Sequence, residues 1–417
     1  MYVTHIFMER FYILGSNPAL SAAEIAAVLG SADFKFSRSS EQVLLLDDAG
    51  PEPRDLMRRL GGTIKIGRLL PVELEPSPDA LAELMYEQLS AAKSAVPRRT
   101  FGYSVYPLGT SSRGAAAGLK NAGMKTKTLL KEAGISCRWV KAQEGPALTS
   151  VAVTKNKLIE EGAEFVVLAG KEKLLVGVTE AVQPFEEFSE QDFGRPSRDT
   201  FQGMLPPKVA RMMINLAAAP PSGRLIDPFC GSGTVLTEAL RLGYAAVAGS
   251  DKNPEAVRST GANIDWLRRR QPEIAGTSEV FAADARNLPG QIAAASVDAI
   301  VTEPFLGPPR RGKETRGELQ KTLSELANLY RDALAGWRRL LKDGGCVVIV
   351  LPIYVLGNEK HGLSVADIAK NGYAGEPLLD ASVIGKLGTK ATKNGGLTYG
   401  RPDQLVWREI IRLRKTG

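Results

Sequence analysis

The 417-residue sequence predicts an α/β protein whose C-terminal half is a mostly parallel, doubly wound sheet, with two smaller α+β segments before it. Three observations carry this. After residue 204 four strands end in an acid and alternate with helices: RLIDPF, AAVAGSD, EVFAADA and VDAIVTEP. Repeated strand-helix units of this kind build a parallel sheet. A glycine-rich turn, Cys230-Gly231-Ser232-Gly233-Thr234, joins the first of these strands to the helix TVLTEALRLG. The first 180 residues instead mix short strands and short helices, a pattern that suits compact α+β units.

Composition bounds the rest. Charged residues make up 24% and hydrophobic ones 44%, which predicts folded globular domains and not long disordered arms. No apolar run reaches the roughly 18 residues a membrane span requires. The start, MYVTHIFMERFYILG, has no basic n-region followed by an apolar stretch and a cleavage site, so it reads as no signal peptide. Cys137, Cys230 and Cys346 form no zinc spacing and leave one cysteine unpaired, which predicts no metal centre and argues against an oxidising compartment. The expected location is the cytoplasm. The two histidines, His5 and His361, sit in no motif for nucleophilic catalysis and read as surface or loop residues.

The net charge is +7, and residues 113–157 alone match it, with nine Lys or Arg (113, 120, 125, 127, 131, 138, 141, 155, 157) against Glu132 and Glu144. Such a stretch fits either a polyphosphate-binding surface or an ordinary solvated helix face.

Element by element, FYILG reads as a strand. Ser21 and Glu24 read as a capping box opening the helix SAAEIAAVLG, which Gly30 closes. FKFSRS and QVLLLDD follow as strands, then the helix DLMRRLGG and the strand TIKIGRLLPVEL, to about residue 95. The segment 96–180 reads as strand FGYSVYPL, helix KTKTLLKEAG, strands SCRWVK and LTSVAVTKN, helix LIEEGA, and strands EFVVLAG and KLLVGVTEAV. Residues 181–203 are polar and turn-rich and read as a linker. Beyond the four acid-ended strands, LANLYRDALAGWRRLLK is a helix, GGCVVIVLP a fifth buried strand, and TYGRPDQLVWREIIRLRK a closing antiparallel strand.

The strand ends carry the chemistry. Glycines at a strand-to-helix turn let a ligand lie against bare backbone near a helix N-terminus. This turn lacks the lysine of a nucleotide-triphosphate loop and the third glycine of a dinucleotide fingerprint, so phosphate binding is poorly supported. Asp227 instead puts a carboxylate at the strand end, able to accept from the ammonium of an amino-acid cofactor. Asp251, 24 residues on, stands where doubly wound folds bind ribose hydroxyls. Asp284 could accept from an adenine amino group, and Glu303-Pro304-Phe305 closes the fourth strand. Each acid alone could be a helix cap or turn residue, but four strand ends in register would line one crevice.

At DPFCGSGT, with the following SD and TEP, the sequence resembles the N-methyltransferases of the Rossmann-like class. YILGSNPALSAAEIAAVL, LGGTIKIGRLL, ISCRWVK, SVAVTKNKLIEEGAEFVVL and FGRPSRDTFQGMLPPKVARMMINLA extend the resemblance to the THUMP-domain tRNA guanosine-N2 (position 10) methyltransferase family. That resemblance implies a ferredoxin-like domain over 1–95, a THUMP RNA-binding domain over 96–180, a linker over 181–203 and a Rossmann-like, S-adenosylmethionine-dependent methyltransferase domain over 204–417. It implies tRNA as partner and transfer of a methyl group from S-adenosyl-L-methionine to the exocyclic N2 amine of a guanosine. By position, Asp227, Cys230, Gly231, Ser232, Gly233, Thr234, Asp251 and Asp284 line the cofactor. Leu205 and Pro206 border it, or else merely open a helix, where proline is tolerated.

The resemblance breaks at the catalytic turn. The family pattern is Asp or Asn, two prolines and an aromatic residue, whereas this chain reads Glu303-Pro304-Phe305-Leu306-Gly307. The chemistry needs acceptors there, because an exocyclic base amine is a poor nucleophile with a delocalised lone pair. A carboxylate and a backbone carbonyl that accept both N–H bonds stabilise the positive charge that develops on nitrogen. An aromatic ring holds the extruded base in line. The loop GPPRRGKETRGE, with Arg310, Arg311, Lys313 and Arg316, reads either as a clamp on the RNA backbone or as a solvated loop. Two alternatives stand beside guanine N2: methylation of adenine N6 or cytosine N4 in RNA or DNA, and a non-catalytic RNA-binding factor that keeps the cofactor fold. The need for a small activating subunit is not encoded in these motifs. No heptad or exposed apolar stripe points to an oligomer, so a monomer is the default.

Overall fold

The computed structural model describes residues 9–30, 36–47, 50–91, 98–109, 114–198, 204–369 and 372–417. His5 and Arg113 therefore lie outside the described residues, as do the last residues of the 181–203 linker. The chain forms two compact units: Met1–Ala22 with Leu29–Glu186 and Lys386–Gly388, and Ala23–Val28 with Glu187–Gly385 and Thr389–Gly417.

In the first unit, among the described residues, eight strands share one sheet: β1 (Glu9–Leu14), β2 (Phe36–Ser40), β3 (Val43–Asp47), β4 (Thr63–Leu74), β5 (Arg99–Pro107), β6 (Cys137–Val140), β7 (Gly162–Ala169) and β8 (Leu174–Val182), in the order β2-β3-β1-β4-β8-β7-β5-β6. The antiparallel pairing of β4 with β8 joins the strands of segment 1–95 to those of 96–180. One core of the unit packs Leu81, Met85, Phe101, Leu130 and Phe165, all buried, so the helices Pro78–Ala91 and Ala122–Glu132 cover the sheet with their apolar faces. Across its centre Lys65 is fully buried, its Nζ donating to Glu164, to Ser104 Oγ at 3.2 Å and to the Leu148 carbonyl at 2.8 Å. Ser104 and Thr179 hydroxyls donate to the same Glu164 carboxylate at 2.6 and 2.7 Å. A buried charge is tolerated only when paired and hydrogen-bonded in this way.

Local sequence signals misled at three places in this unit. The first helix begins at Pro18, not Ser21; the Ser21 N–H bonds to the Asn17 carbonyl and its hydroxyl donates to the Gly62 carbonyl at 2.8 Å, so Ser21 ties the helix to a neighbouring turn instead of capping it. LTSVAVTKN is not a strand. Ser150–Lys155 is a helix whose cap, the Thr149 hydroxyl, accepts from Ala152 N at 3.1 Å, with Val153 buried beneath it. Its β-branched residues suggest a strand, but β-propensity yields to capping and packing. LIEEGA is correspondingly a turn, and β7 starts within it at Gly162.

In the second unit nine strands, among the described residues, form the other sheet: β9 (Arg224–Asp227), β10 (Ala246–Asp251), β11 (Thr277–Ala282), β12 (Val297–Thr302), β13 (Leu341–Leu356), β14 (Glu359–Gly362), β15 (Tyr373–Glu376), β16 (Leu397–Tyr399) and β17 (Val406–Lys415). The main order is β11-β10-β9-β12-β13-β17-β15. The first five are mutually parallel, and β17 inserts antiparallel between β13 and β15. This is the expected Rossmann-like sheet with its closing antiparallel strand. Strand order reverses between β9 and β12, and ligands of such sheets bind at the carboxyl ends on either side of that switch point.

The helix Arg316–Leu340 opens with a complete capping box between Thr315 and Glu318 and buries Tyr330, Leu334 and Trp337 against the sheet. Arg316 is thus helical, not part of the loop. The linker segment is also more ordered than its composition suggests, for Phe185–Phe193 is a helix. Its buried Phe188 lies under the Arg211 guanidinium at 4.5 Å, a cation–π contact that a search for apolar periodicity overlooks. No helix of the described residues is long and apolar enough to cross a membrane.

Candidate active site

Asp227, last residue of β9, is 2% exposed. Its Oδ1 accepts from the Thr302 hydroxyl at 2.6 Å and from Phe229 N at 3.1 Å. Thr302 ends β12, so this bond spans the switch point of the sheet. Burial pushes the Asp227 carboxyl up to about 7; the two hydrogen bonds oppose that shift, and the charges of Asp251 and Glu303 reinforce it.

The turn that follows is built for close approach. Gly231 has φ +52° with open space where a side chain would stand, and its N–H donates to Asp251 Oδ2 at 3.2 Å. Gly233, with φ +82°, faces the other way, because a Cβ there would lie 2.8 Å from Thr260 Cγ2. Gly231 thus keeps the crevice side bare, and Gly233 lets the helix Pro254–Arg270 pack against the turn. Asp251 also accepts from Asn253 N at 2.9 Å, which orders the start of that helix.

The remaining expected cofactor residues divide. Cys230 is buried, with Thr260 Oγ1 3.6 Å from its sulfur; burial pushes the thiol up, and the side chain acts in packing. Ser232 lies beside Met204, its hydroxyl 3.7 Å from Sδ, and Thr234 accepts from Arg195 Nη1 at 2.7 Å. Leu205 is buried, and Pro206 caps the helix Pro207–Leu216. Asp284 caps the short helix Ala285–Gly290, and the hydrogen bonds from Arg286 (Nε 2.9 Å, Nη2 2.7 Å) hold its carboxyl down at about 2. Any adenine amine there would share Asp284 with Arg286.

Sequence reasoning missed the residues that fasten this turn. Asn263 donates to the carbonyls of Ser232 (2.8 Å) and Ser197 (2.9 Å) and accepts from Ser197 N (3.0 Å). With Arg195 it pins residues 195–197 onto the glycine-rich turn. Only three-dimensional proximity reveals them, since 66 residues separate Asn263 from Ser197.

At the fourth strand end Glu303 is largely buried, and Arg408 of β17 donates Nε to Oε1, with Nη2 3.4 Å from Oε2. Pro304 is buried, while Phe305 is 47% exposed. Two buried tyrosines fix the main chain: Tyr330 donates to the Phe305 carbonyl and Tyr354 to the Leu306 carbonyl, each at 2.7 Å. Arg310 corrects the RNA-clamp expectation. Its side chain is 4% exposed, Nη1 donates to the Val355 and Leu405 carbonyls at 2.7 Å, and the guanidinium lies over the Tyr354 ring. It braces the loop from inside; Arg311 and Lys313 remain exposed.

Three acids at adjacent strand ends beside a bare glycine turn suit a ligand that carries a cation and hydroxyl groups. Asp227 in particular is a buried carboxyl whose hydrogen-bond partners are neutral donors. The residues present therefore fit an amino-acid-bearing nucleoside.

Residues 195–353 match the family model described as RMKL-like, methyltransferase domain, and residues 117–262 match a DNA methylase model. A tRNA (guanine(10)-N2)-dimethyltransferase from Methanothermobacter thermautotrophicus is 33% identical over 183 residues, 42% of this chain and 46% of that protein. The type II methyltransferase M.TthHB8I from Thermus thermophilus is 31% identical over 40% of this chain and 38% of that one. The chain thus spans less than half the length of these curated relatives. Among solved structures, TrmN from Thermus thermophilus aligns over 98% of this chain and all of that one, with a TM-score of 0.54 at 17% identity, a likeness of fold. Sequence and fold agree on a Rossmann-like methyltransferase domain containing residues 195–353.

Proposed function

We propose that this protein transfers a methyl group from S-adenosylmethionine to the exocyclic N2 amine of a guanosine in tRNA. The observation that carries the reading is the gathering of Asp227, Asp251 and Glu303 at neighbouring strand ends, with the charges of the last two both felt at Asp227. Bound there, S-adenosylmethionine supplies an electrophilic methyl group on a sulfonium. Asp227 would accept from its ammonium, Asp251 from its ribose hydroxyls and Asp284 from its adenine amine. Gly231 and Gly233 keep the turn narrow, with Ser232 and Thr234 along it and Leu205 and Pro206 at its border. Glu303 and the Pro304 carbonyl accept the two N–H bonds of the target amine, and Phe305 supports the base. Glu303 is also the acceptor for the proton the amine must lose.

Guanine N2 is favoured over other amines by the tRNA-modifying relative, and the basic stretch supports a nucleic-acid substrate. Lys120, Lys131, Arg138, Lys141, Lys155 and Lys157 are exposed on the first unit, whose 96–180 segment is the THUMP-like part of this proposal. The DNA methylase match favours a second reading, methylation of adenine N6 or cytosine N4. Incubation with labelled S-adenosylmethionine and unmodified tRNA, followed by nucleoside mass spectrometry, separates them. N2-methylguanosine supports the first reading and a methylated adenosine or cytidine the second. RNA binding without incorporation leaves a non-catalytic factor.

A further inference from the structure

We propose that Arg408, on β17, is a positioning residue that aims the Glu303 carboxylate at the target amine. The inference rests on the function proposed above. Glu303 is a long side chain, and an untethered glutamate spreads over several rotamers that must be narrowed to one before it can hold a substrate amine. Here the rotamer is chosen by a partner 105 residues away in sequence, reaching from beyond β13. Both side chains are largely buried, at 14% and 13% exposure, so water screens the pair weakly.

The pairing is uneven, and that is its use. Arg408 Nε engages Oε1, whereas Nη2 stands 3.4 Å from Oε2, a weak contact that leaves Oε2 able to accept another N–H. The main chain of the turn is held independently by Tyr330 and Tyr354. Carboxylate and backbone are thus each fixed by partners on other elements, and the ordering is complete before substrate arrives. Charge supports the same role. Glu303 acts on the buried Asp227 as a like charge, so three acids would crowd the strand ends without a nearby cation. Arg408 supplies one to Glu303 and leaves Asp227 and Asp251 for the cofactor.

The test is a double-mutant cycle on full-length protein with unmodified tRNA. R408M should lower kcat at least tenfold while the KM for tRNA and the Kd for S-adenosylmethionine stay within twofold. R408K, which keeps the charge but not the fork, should recover only part of that loss. E303Q should be severely impaired, and E303Q/R408M no worse than E303Q, because Arg408 acts through Glu303. A wild-type kcat in R408M, or losses that multiply in the double variant, would overturn the assignment while leaving the proposed activity standing. Wild-type protein that methylates no tRNA overturns both. If R408M does not fold, R408K decides: a kcat at least threefold down with unchanged Kd supports the role, and a wild-type kcat rejects it.

Discussion

Asp227 and Thr302 end neighbouring strands, β9 and β12, and meet in a 2.6 Å hydrogen bond across the point where the strand order of the sheet reverses. The bond holds a carboxyl that burial has pushed up to about 7, so its charge state changes within the physiological range. If Asp227 receives the cofactor ammonium, only the ionised form binds well. The Kd for S-adenosylmethionine should then be roughly tenfold weaker at pH 6 than at pH 8, as expected for one proton competing at a single site. Thr302→Val removes a donor that pulls the carboxyl down, so the midpoint should move higher. Calorimetric titration across this range reads both effects, and a flat profile rules out Asp227 as the ammonium acceptor. The folding linkage has the opposite sense to that of an ordinary paired acid. The native state holds this proton more tightly than the unfolded chain, whose aspartates titrate near about 3.9, so the group's contribution to stability is full below that value and lost as pH rises through 7.

Gly231 and Gly233 sit two residues apart with positive φ, yet they should fail differently when replaced. Gly233→Ala drives a methyl to 2.8 Å from Thr260 Cγ2 at φ +82°, combining a clash with left-handed strain of roughly 1–2 kcal/mol. Its effect should appear as a lower melting temperature. Gly231→Ala carries the strain without the clash and places its methyl in the open crevice. Stability should fall less, and cofactor affinity should fall more. Equal loss of affinity in the two variants would mean that the crevice does not run past Gly231.

Although only β9, β10 and β12 are buried and the edge strand β11 is not, the strand ends were legible in the sequence because each is a short run that stops at or just before an acid, a signal confined to a few residues. The partners of those acids were not. Arg408 meets Glu303 from 105 residues away and Thr302 meets Asp227 from 75, and Asn263, which fastens the glycine-rich turn and pairs with no acid, reaches Ser197 from 66. Nothing local marks such pairs, since each is an ordinary residue on its own strand or helix. The same limit explains the element at 150–155, where the sequence suggests a strand and the Thr149 cap and the burial of Val153 make a helix.

Arg310 illustrates how a basic loop can mislead. Its guanidinium satisfies the carbonyls of Val355 and Leu405 from a nearly sealed position, so it has little surface to offer RNA. Arg310→Met should remove the guanidinium bonds to the carbonyls of Val355 and Leu405, of which Leu405 keeps the Val355 N–H as a donor at 3.0 Å, so the cost should be about 1–3 kcal/mol in all. The expected readout is a lower melting temperature and faster proteolysis within 306–316. Arg311→Ala, at an exposed position, should leave both unchanged. Any loss of RNA affinity in the Arg310 variant should scale with its loss of stability; a selective loss in a stable variant would restore the clamp.

Lys65 and Glu164 provide the corresponding test in the first unit. Burial pulls the Lys65 ammonium below its ordinary range, and the Glu164 charge pulls it back, so the pair is held by balance. Removing one member leaves the other charged and enclosed. Lys65→Met should therefore destabilise this unit by about 3–5 kcal/mol, although methionine fills much of the same volume. Glu164→Gln should cost less if Lys65 deprotonates, because the amide oxygen can still accept from one of the Ser104 and Thr179 hydroxyls while its NH2 donates to the other. The double variant Lys65→Met/Glu164→Gln should recover much of the single Lys65→Met loss, since no unpaired charge remains. Urea unfolding of the four proteins measures the coupling. Additive losses would mean that the charges are already relieved by water, and that the four strands β4, β5, β7 and β8 depend on their apolar packing alone.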